Sequence, residues 1–484
     1  MVERYGNLIN DDWVMTDSLN INVNPSDTND TIGEYARASE ADVHTAIAAA
    51  RQAFTSWSHT APLVRHDILA RASAEIAQRK QELGELLSRE EGKTLVEGVG
   101  EVTRAAQVLL FMAGEALRID GDRIAGLQAG SDAEVTREPL GVIGVITPWN
   151  FPIAIPAWKI GAALAYGNCV VFKPAELVPG SAWELVSILR RAGLPPGVLN
   201  LVMGSGRQIG AVLTAHKDVD AISFTGSVPT GRSIAAASMA GPTMKRLQLE
   251  MGGKNPLVVL DDADLDVAVE CAVNGAFYST GQRCTASSRF IVTNGIHDRF
   301  VQAVVDRLDA LQIGHALDPR SHIGPVVDQS QLDTNLKYLE IGQQENADLR
   351  WGGQRLDRAT PGFYLQPALF TEVQPSMRIA REEIFGPIAA VLRVDSYEEA
   401  LAVANDTEFG LSSGICTSSL KYATHFKRHS EAGIVKVNQG TSGLDFHLPF
   451  GGRKASSYGP REQGRYAAEF YTTVKTAYTS AGIL

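Results

Sequence analysis

The chain has 484 residues, with 44 Lys and Arg against 55 Asp and Glu, a formal net charge of −11. That acidic balance argues against a surface for nucleic acid or anionic membrane, and 20% charged with 44% hydrophobic residues is the make-up of a soluble globular chain. Its length suggests two or three domains, with a core large enough to fold without disulfides or a structural metal.

Residues 1–40 are polar and turn-rich, with short strand-like pieces. The start, MVERYGNLINDDW, lacks the basic and apolar regions of a signal peptide. No apolar run approaches the ~20 residues of a membrane span, so a cytoplasmic protein is expected. From Asp42 to Leu117 apolar residues recur at i, i+3, i+4 spacing, which predicts helices, one of them an amphipathic surface helix over His66–Leu87. From Val142 the texture changes to short apolar runs, each followed by a helical stretch: GVIGVITPW, NCVVFKP, VLNLVMG, DAISFTG and RLQLEMGG. That alternation predicts βαβ units and a parallel sheet covered on both faces. A second α/β series follows the Gly252-Gly253 break, from Asp261 to Val437. The tail AAEFYTTVKTAYTS reads as an edge strand, with DAEVTREPL near 132–140 as its candidate partner.

Ligands on parallel sheets bind beyond the carboxyl ends of the strands, which directs attention to four places. Gly226-Ser-Val-Pro-Thr-Gly231 follows a strand and precedes a helix. Such a turn either cradles a pyrophosphate on backbone N–H groups or is simply a tight turn, and Gly204-Ser-Gly206-Arg-Gln-Ile-Gly210 competes with it. Lys173 and Glu176 end another strand. They suit the two hydroxyls of a ribose, where an acid favours NAD over NADP, or they form a surface ion pair. Asn150, in Pro-Trp-Asn-Phe-Pro, is either an oxyanion donor or a turn residue. Glu250, ending an apolar run beside two glycines, is either a base raised toward neutrality by burial or a structural carboxylate.

The cysteines are Cys169, Cys271, Cys284 and Cys416. None is spaced as a CxxC or beside a metal-ligand His, so neither a disulfide framework nor a metal site is expected. Cys169 and Cys271 sit in apolar runs and read as packing. Cys284 sits among small polar residues after Gly281, with Arg283 next to it. It is either an ordinary turn cysteine or a nucleophile whose thiolate Arg283 favours.

Read in order, PWNFP (148–152), KPAE (173–176), FTGSVPTG (224–231), LEMGGK (249–254), GQRC (281–284), EEIFGP (382–387) and PFGG (449–452) resemble the aldehyde dehydrogenase superfamily over essentially the whole chain. The resemblance implies an α/β fold with a Rossmann-type dinucleotide-binding domain (1–120 and 141–251), an α/β catalytic domain (252–450) and a small oligomerisation sheet (121–140 and 465–484). It implies Cys284 as nucleophile, Glu250 as general base, Asn150 as oxyanion donor and Lys173 as a further catalytic-site residue. It places an NAD cofactor, with NADP as the alternative, along Ile146, Thr147, Pro148, Trp149, Lys173, Glu176, Gly206, Gly210, Phe224, Gly226, Ser227, Gly252, Glu383 and Phe385. Phe151, Trp158, Arg283, Thr285, Leu444 and Phe450 are the candidate walls of the aldehyde pocket, with Arg283 able to pair with a substrate carboxylate. SSYGPREQGRYAAEFYTTVKTAYT and AWKIGAALAYGN resemble the branch acting on α-ketoglutaric semialdehyde. Succinate or glutarate semialdehyde and aromatic aldehydes are the alternatives, and a silent NAD-binding structural protein is a remote one. The expected partners are a small-molecule aldehyde and further copies of the chain, as a dimer or tetramer.

Overall fold

The runs Val142–Ile146, Cys169–Lys173 and Ala221–Thr225 are buried along their whole length in a computed structural model that describes residues 2–482. A strand hydrophobic on both faces needs cover on both faces, and these lie at the centre of an eight-stranded sheet. Its order is Ser457–Tyr458, Arg246–Glu250, Ala221–Thr225, Val142–Ile146, Cys169–Lys173, Leu199–Leu201, Asn7–Ile9, Asp12–Val14. The five strands from Arg246–Glu250 to Leu199–Leu201 are parallel. From Val142–Ile146 the chain moves outward through Cys169–Lys173 and Leu199–Leu201, then returns to the other side at Ala221–Thr225. That reversal opens a crevice between the carboxyl ends of Val142–Ile146 and Ala221–Thr225, the position where ligands bind such sheets.

Four helices, Glu40–Trp57, Pro62–Gln78, Lys80–Glu91 and Leu95–Ala116, pack on this unit. The single helix expected over His66–Leu87 is two, broken at Arg79, whose φ of −94° and ψ of 14° leave the helical region. Both halves are amphipathic: Ile68, Leu69, Ala72, Ile76, Leu83 and Leu87 enter the core. A second sheet of seven strands, from Asn255–Val259 to Ile434–Val437 in the chain, carries its own helices and core.

The third sheet pairs Thr472–Ser480 with Ser131–Pro139, which also pairs Asp122–Ala125. The tail therefore meets the partner that its alternation suggested. The strand starts later than expected: Ala468–Tyr471 is helical, because Phe470 and Tyr471 are buried in the first core and only the residues beyond them leave it. The expected boundaries at residues 1 and 483–484 lie outside the described residues. Among the described residues no helix is long and apolar enough to cross a membrane.

Candidate active site

Two prolines flank the turn after Val142–Ile146, and they hold Trp149 and Asn150 out of both strand and helix. Asn150 is buried, and its Nδ2 donates to the Gln282 carbonyl at 3.0 Å, which ties this turn to the segment bearing Cys284. Its own carbonyl accepts from Lys93 Nζ at 2.8 Å. Lys93 is in turn paired with Glu101 at 2.7 Å, and Glu101 accepts the backbone N–H groups of Ile153 and Ala154 at 3.0 and 3.1 Å. A buried ion pair thus fixes the turn from below.

Cys284 follows a short turn in which Ser279 and Thr280 have φ of 51° and 55°. Two successive non-glycine residues in the left-handed region cost about 1–3 kcal/mol each and persist only where the surroundings hold them. Glu97 does so, accepting from the Ser279 N–H and hydroxyl at 2.8 and 2.9 Å, while Thr280 donates to the carbonyls of Gly324 and Pro325. Gly281, at φ of 64°, lies where a Cβ would stand 2.3 Å from the Gly386 carbonyl oxygen. The Cys284 thiol is pushed up to about 12, first by burial and then by the carboxyls of Glu383 and Glu250.

Glu250 ends its strand fully inside the protein, with Ser457 donating to its Oε2 at 2.5 Å. Burial and the nearby Glu462 raise its pKa well above the ordinary carboxyl value, against the pull of Ser457, Lys159 and Arg461. Glu383 lies over the Gly252-Gly253 backbone: Gly253 N–H donates to it at 2.9 Å, and a Cβ on Gly252 would stand 2.0 Å from its Oε2. Burial pushes Glu383 up to about 7. Phe385, at φ of 59°, turns its ring edge-on to Trp149 with centroids 5.3 Å apart.

Two cavities meet at Cys284. One, of about 220 Å³, is lined by Pro148, Trp149, Asn150, Gly226, Ser227, Gly252, Glu383 and Phe385, and it is the crevice at the strand reversal. The other, of about 350 Å³, is lined by Glu250 and by all six residues expected as the aldehyde pocket: Phe151, Trp158, Arg283, Thr285, Leu444 and Phe450.

Other expected residues lie apart from this junction. Ile146 and Phe224 are in the core, and the Phe224 ring packs beneath Gly226. Thr147 is buried, its Oγ1 without a hydrogen-bond partner among the described residues, and its N–H donates to the Lys173 carbonyl. Lys173 lines neither cavity that meets at Cys284. Its ammonium lies beside Gly206, and burial pushes it down to about 8 against the attraction of Glu176. Glu176 does not close an ion pair with Lys173; it faces Arg37 at 3.8 Å. Gly210 opens the helix Ile209–Ala215, with room for a Cβ.

Arg283 requires a correction. Its guanidinium pairs with Glu97 at 3.0 Å and donates to the Ser279 hydroxyl and the Asn274 carbonyl. It is not among the main causes of the Cys284 shift, which burial and the carboxyls of Glu383 and Glu250 dominate. Proximity in sequence misled because the side chain is drawn to the nearer carboxylate. Sequence reasoning missed Lys93, Glu97, Glu101, Arg104, Glu462 and Gln463. A signal was present for three of them: Glu97, Glu101 and Arg104 are spaced by four and three, one face of the helix Leu95–Ala116.

The residues present fit a dinucleotide. The crevice floor is glycine backbone at Gly226 and Gly252, Ser227 caps the helix Val228–Met239 whose N-terminus opens on it, and the buried Lys173 ammonium has no hydrogen-bond partner among the described residues.

The chain is similar to known proteins along nearly its whole length. The family model described as "Aldehyde dehydrogenase family" matches residues 13–477. The α-ketoglutaric semialdehyde dehydrogenase of Bacillus subtilis strain 168 is 44% identical over 478 residues, 98% of each chain. The α-ketoglutarate semialdehyde dehydrogenase of Haloferax volcanii is 41% identical over 99% of this chain and 100% of its own. The betaine aldehyde dehydrogenase of Staphylococcus aureus, solved in complex with NAD+, superposes with a TM-score of 0.96 at 32% identity, over 99% of this chain and 96% of that one. With matches that span nearly its whole length, the chain belongs to the aldehyde dehydrogenase family and is an NAD(P)-dependent aldehyde dehydrogenase.

Proposed function

We propose that the protein oxidises a short aldehyde carrying a carboxylate at its far end, with α-ketoglutaric semialdehyde as substrate and 2-oxoglutarate as product. The observation that carries the reading is Cys284 at the junction of two cavities, with the Asn150 amide on one wall and the Glu250 carboxyl on the other. The substrate is supported by the relatives from B. subtilis and H. volcanii and by cationic side chains on the larger cavity.

The Cys284 thiol is held protonated at neutral pH, so its ionisation belongs to the reaction, and its proton leaves to solvent through the open cavity as the sulfur adds to the aldehyde. The sulfur adds to the aldehyde carbon, and the negative charge moves to oxygen. Asn150 Nδ2 spends one N–H on Gln282 and keeps the second for this oxyanion, with the Cys284 backbone N–H as the other donor. Bound NAD(P) supplies a hydride acceptor in the smaller cavity. The thioester left on Cys284 is cleaved by water from which Glu250 takes a proton, which releases the acid and restores the thiol.

NAD is assigned over NADP because the Glu176 carboxylate at the strand rim repels a 2′-phosphate. The sheet spanning 142–250 is assigned to the dinucleotide, the sheet from Asn255 to Val437 to catalysis, and the third sheet to oligomerisation. Its edge strand Thr472–Ser480 is paired on one side only among the described residues, with Val474 and Tyr478 exposed by 57% and 74%, and supports a dimer or tetramer. A cytoplasmic location is in keeping with four free thiols. An aromatic aldehyde is the second reading, favoured by Trp158 and Phe450, whose rings lie 5.7 Å apart on the same cavity.

The test is a panel of 2,5-dioxovalerate (α-ketoglutaric semialdehyde), succinate semialdehyde, benzaldehyde and pentanal, each with NAD and NADP. The expected result is the highest kcat/KM for 2,5-dioxovalerate with NAD. Preference for pentanal or benzaldehyde overturns the substrate. Cys284→Ala should bind NAD and form no NADH.

A further inference from the structure

The larger cavity holds three cationic side chains, and two of them are already neutralised. Lys93 is paired with Glu101, and Arg283 with Glu97. Arg104 is different: its guanidinium donates to the Leu444 carbonyl and to Gln463 Oε1 at 3.0 Å, and no carboxylate of the described residues lies within ion-pair distance. Burial works against its charge, partly offset by Asp445 and Glu101 at longer range. A guanidinium has five N–H donors, so most of this fork is uncommitted.

Gln463 supplies a second, independent observation. It lines the same cavity at 1% exposure, and its Nε2 has no hydrogen-bond partner among the described residues. The orientation of the amide is dictated by its neighbour: a guanidinium only donates, so the amide oxygen must face Arg104 and the amide nitrogen must face elsewhere. A buried donor without a partner costs about 1–3 kcal/mol. Gln463 is moreover held at φ of 60°, a region that non-glycine residues rarely occupy and that clusters at functional sites.

We propose that Arg104 and Gln463 together form the subsite for the far end of the substrate, Arg104 taking the carboxylate and Gln463 Nε2 the 2-oxo oxygen. Charge is matched with charge: the free fork suits an anion, and the neutral buried amide suits a neutral acceptor. The two side chains are hydrogen-bonded to each other, so the groups they read must be adjacent in the ligand, as the carboxylate and ketone of a 2-oxo acid are. This assignment rests on the proposed substrate and replaces Arg283 as the carboxylate anchor.

The experiment compares 2,5-dioxovalerate, glutarate semialdehyde and pentanal, which share a five-carbon aldehyde chain. The first two carry the carboxylate, and only the first carries the ketone. In the parent enzyme, a kcat/KM for pentanal above that for both acids overturns the substrate reading itself. If the acids are preferred, Arg104→Met should raise KM for both by ~10–100-fold, the range for a lost charge-assisted hydrogen bond, with pentanal changed less than threefold. Arg104→Lys should recover part of the loss. Gln463→Leu should bring 2,5-dioxovalerate and glutarate semialdehyde within threefold of each other. An unchanged KM for the acids in Arg104→Met, or an equal loss on pentanal, overturns the anchor. A retained preference for the 2-oxo substrate in Gln463→Leu overturns the amide's part.

Discussion

Glu101→Gln is a one-atom change that should separate the support of the site from its chemistry. Glu101 and Lys93 meet at 2.7 Å, and both side chains are 1% exposed. The other carboxyl near Lys93 is Glu91, at 3.9 Å, and burial pushes it up to about 8. Glu101, at the shorter distance, is the carboxyl that Lys93 donates to. Its loss leaves a buried ammonium that keeps the Asn150 carbonyl as a hydrogen-bond partner, with the Phe151 ring centroid 4.1 Å away and Glu91 at 3.9 Å. Breaking a buried pair from one side costs about 3–5 kcal/mol. At about 2 °C per kcal/mol, the lower end for large chains, Tm should fall by about 6–10 °C at a fixed scan rate. The amide side chain can still accept the N–H groups of Ile153 and Ala154, so the turn is loosened rather than lost. Losing an oxyanion donor outright costs about 10²–10³ in rate, so a displaced Asn150 should slow the first NADH turnover by ~10-fold or more in stopped flow. The double variant Lys93→Met/Glu101→Gln removes the unpaired charge and should regain most of the Tm. Its burst should stay slow, because the Asn150 carbonyl then has no ammonium to hold it. If Glu101→Gln melts within 2 °C of the parent and keeps its full burst rate, the pair does not position Asn150.

Glu250→Gln should leave a burst of about one NADH per site followed by turnover slowed ~10²–10⁴-fold, the range for loss of a general base; undiminished steady-state turnover removes Glu250 from that role. Because the thiol lies at about 12, its alkylation by iodoacetamide in the cofactor-free protein should rise about tenfold per pH unit from 7 to 10. A plateau below pH 8 contradicts this. Glu383, raised from 4.5 to about 7, binds its proton more tightly folded than unfolded. Its contribution to stability is complete below pH ~4.3 and is lost as the pH rises through 7. Glu383→Gln should therefore flatten the decline in stability between pH 5 and 8, measured by denaturant titration, and an unchanged slope counts against it. Gly252→Ala places a Cβ 2.0 Å from Glu383 Oε2 and should raise the KM for NAD; parent-like NAD kinetics would mean that Glu383 moves aside freely.

What could be read from the sequence was whatever is local. The parallel strands announced themselves because a strand covered on both faces is apolar throughout, as in VIGVI and CVVFK. The site positions at their carboxyl ends followed from topology, and the tail strand from its alternation. The helix break at Arg79 was not legible, because neither proline nor glycine marks it. The early end of the tail strand was not legible either, because Phe470 and Tyr471 suit a strand as well as the core contact they make.

The charges of the aldehyde cavity were harder to read, and for a different reason. A guanidinium pairs with whichever carboxylate the fold brings near, and that partner is seldom close in sequence. Arg283 adjoins Cys284 in the chain, yet it pairs with Glu97, 186 positions away. Arg104 and Gln463 are separated by 359 positions and meet side by side. No periodicity links them, since one lies on a helix of the first unit and the other in a turn after the strand Ser457–Tyr458 that the C-terminal segment adds to the first sheet. The Cys284 thiol can be found from its neighbours because the chemistry proposed for it demands a local backbone: Gly281 where a Cβ would collide with Gly386, and the turn at Ser279 and Thr280 that leads to a sulfur lining both cavities. Specificity makes no such local demand. It needs only an unspent donor at the right distance from the reacting carbon, and which donors are unspent is known only after every other charge in the cavity has found its partner.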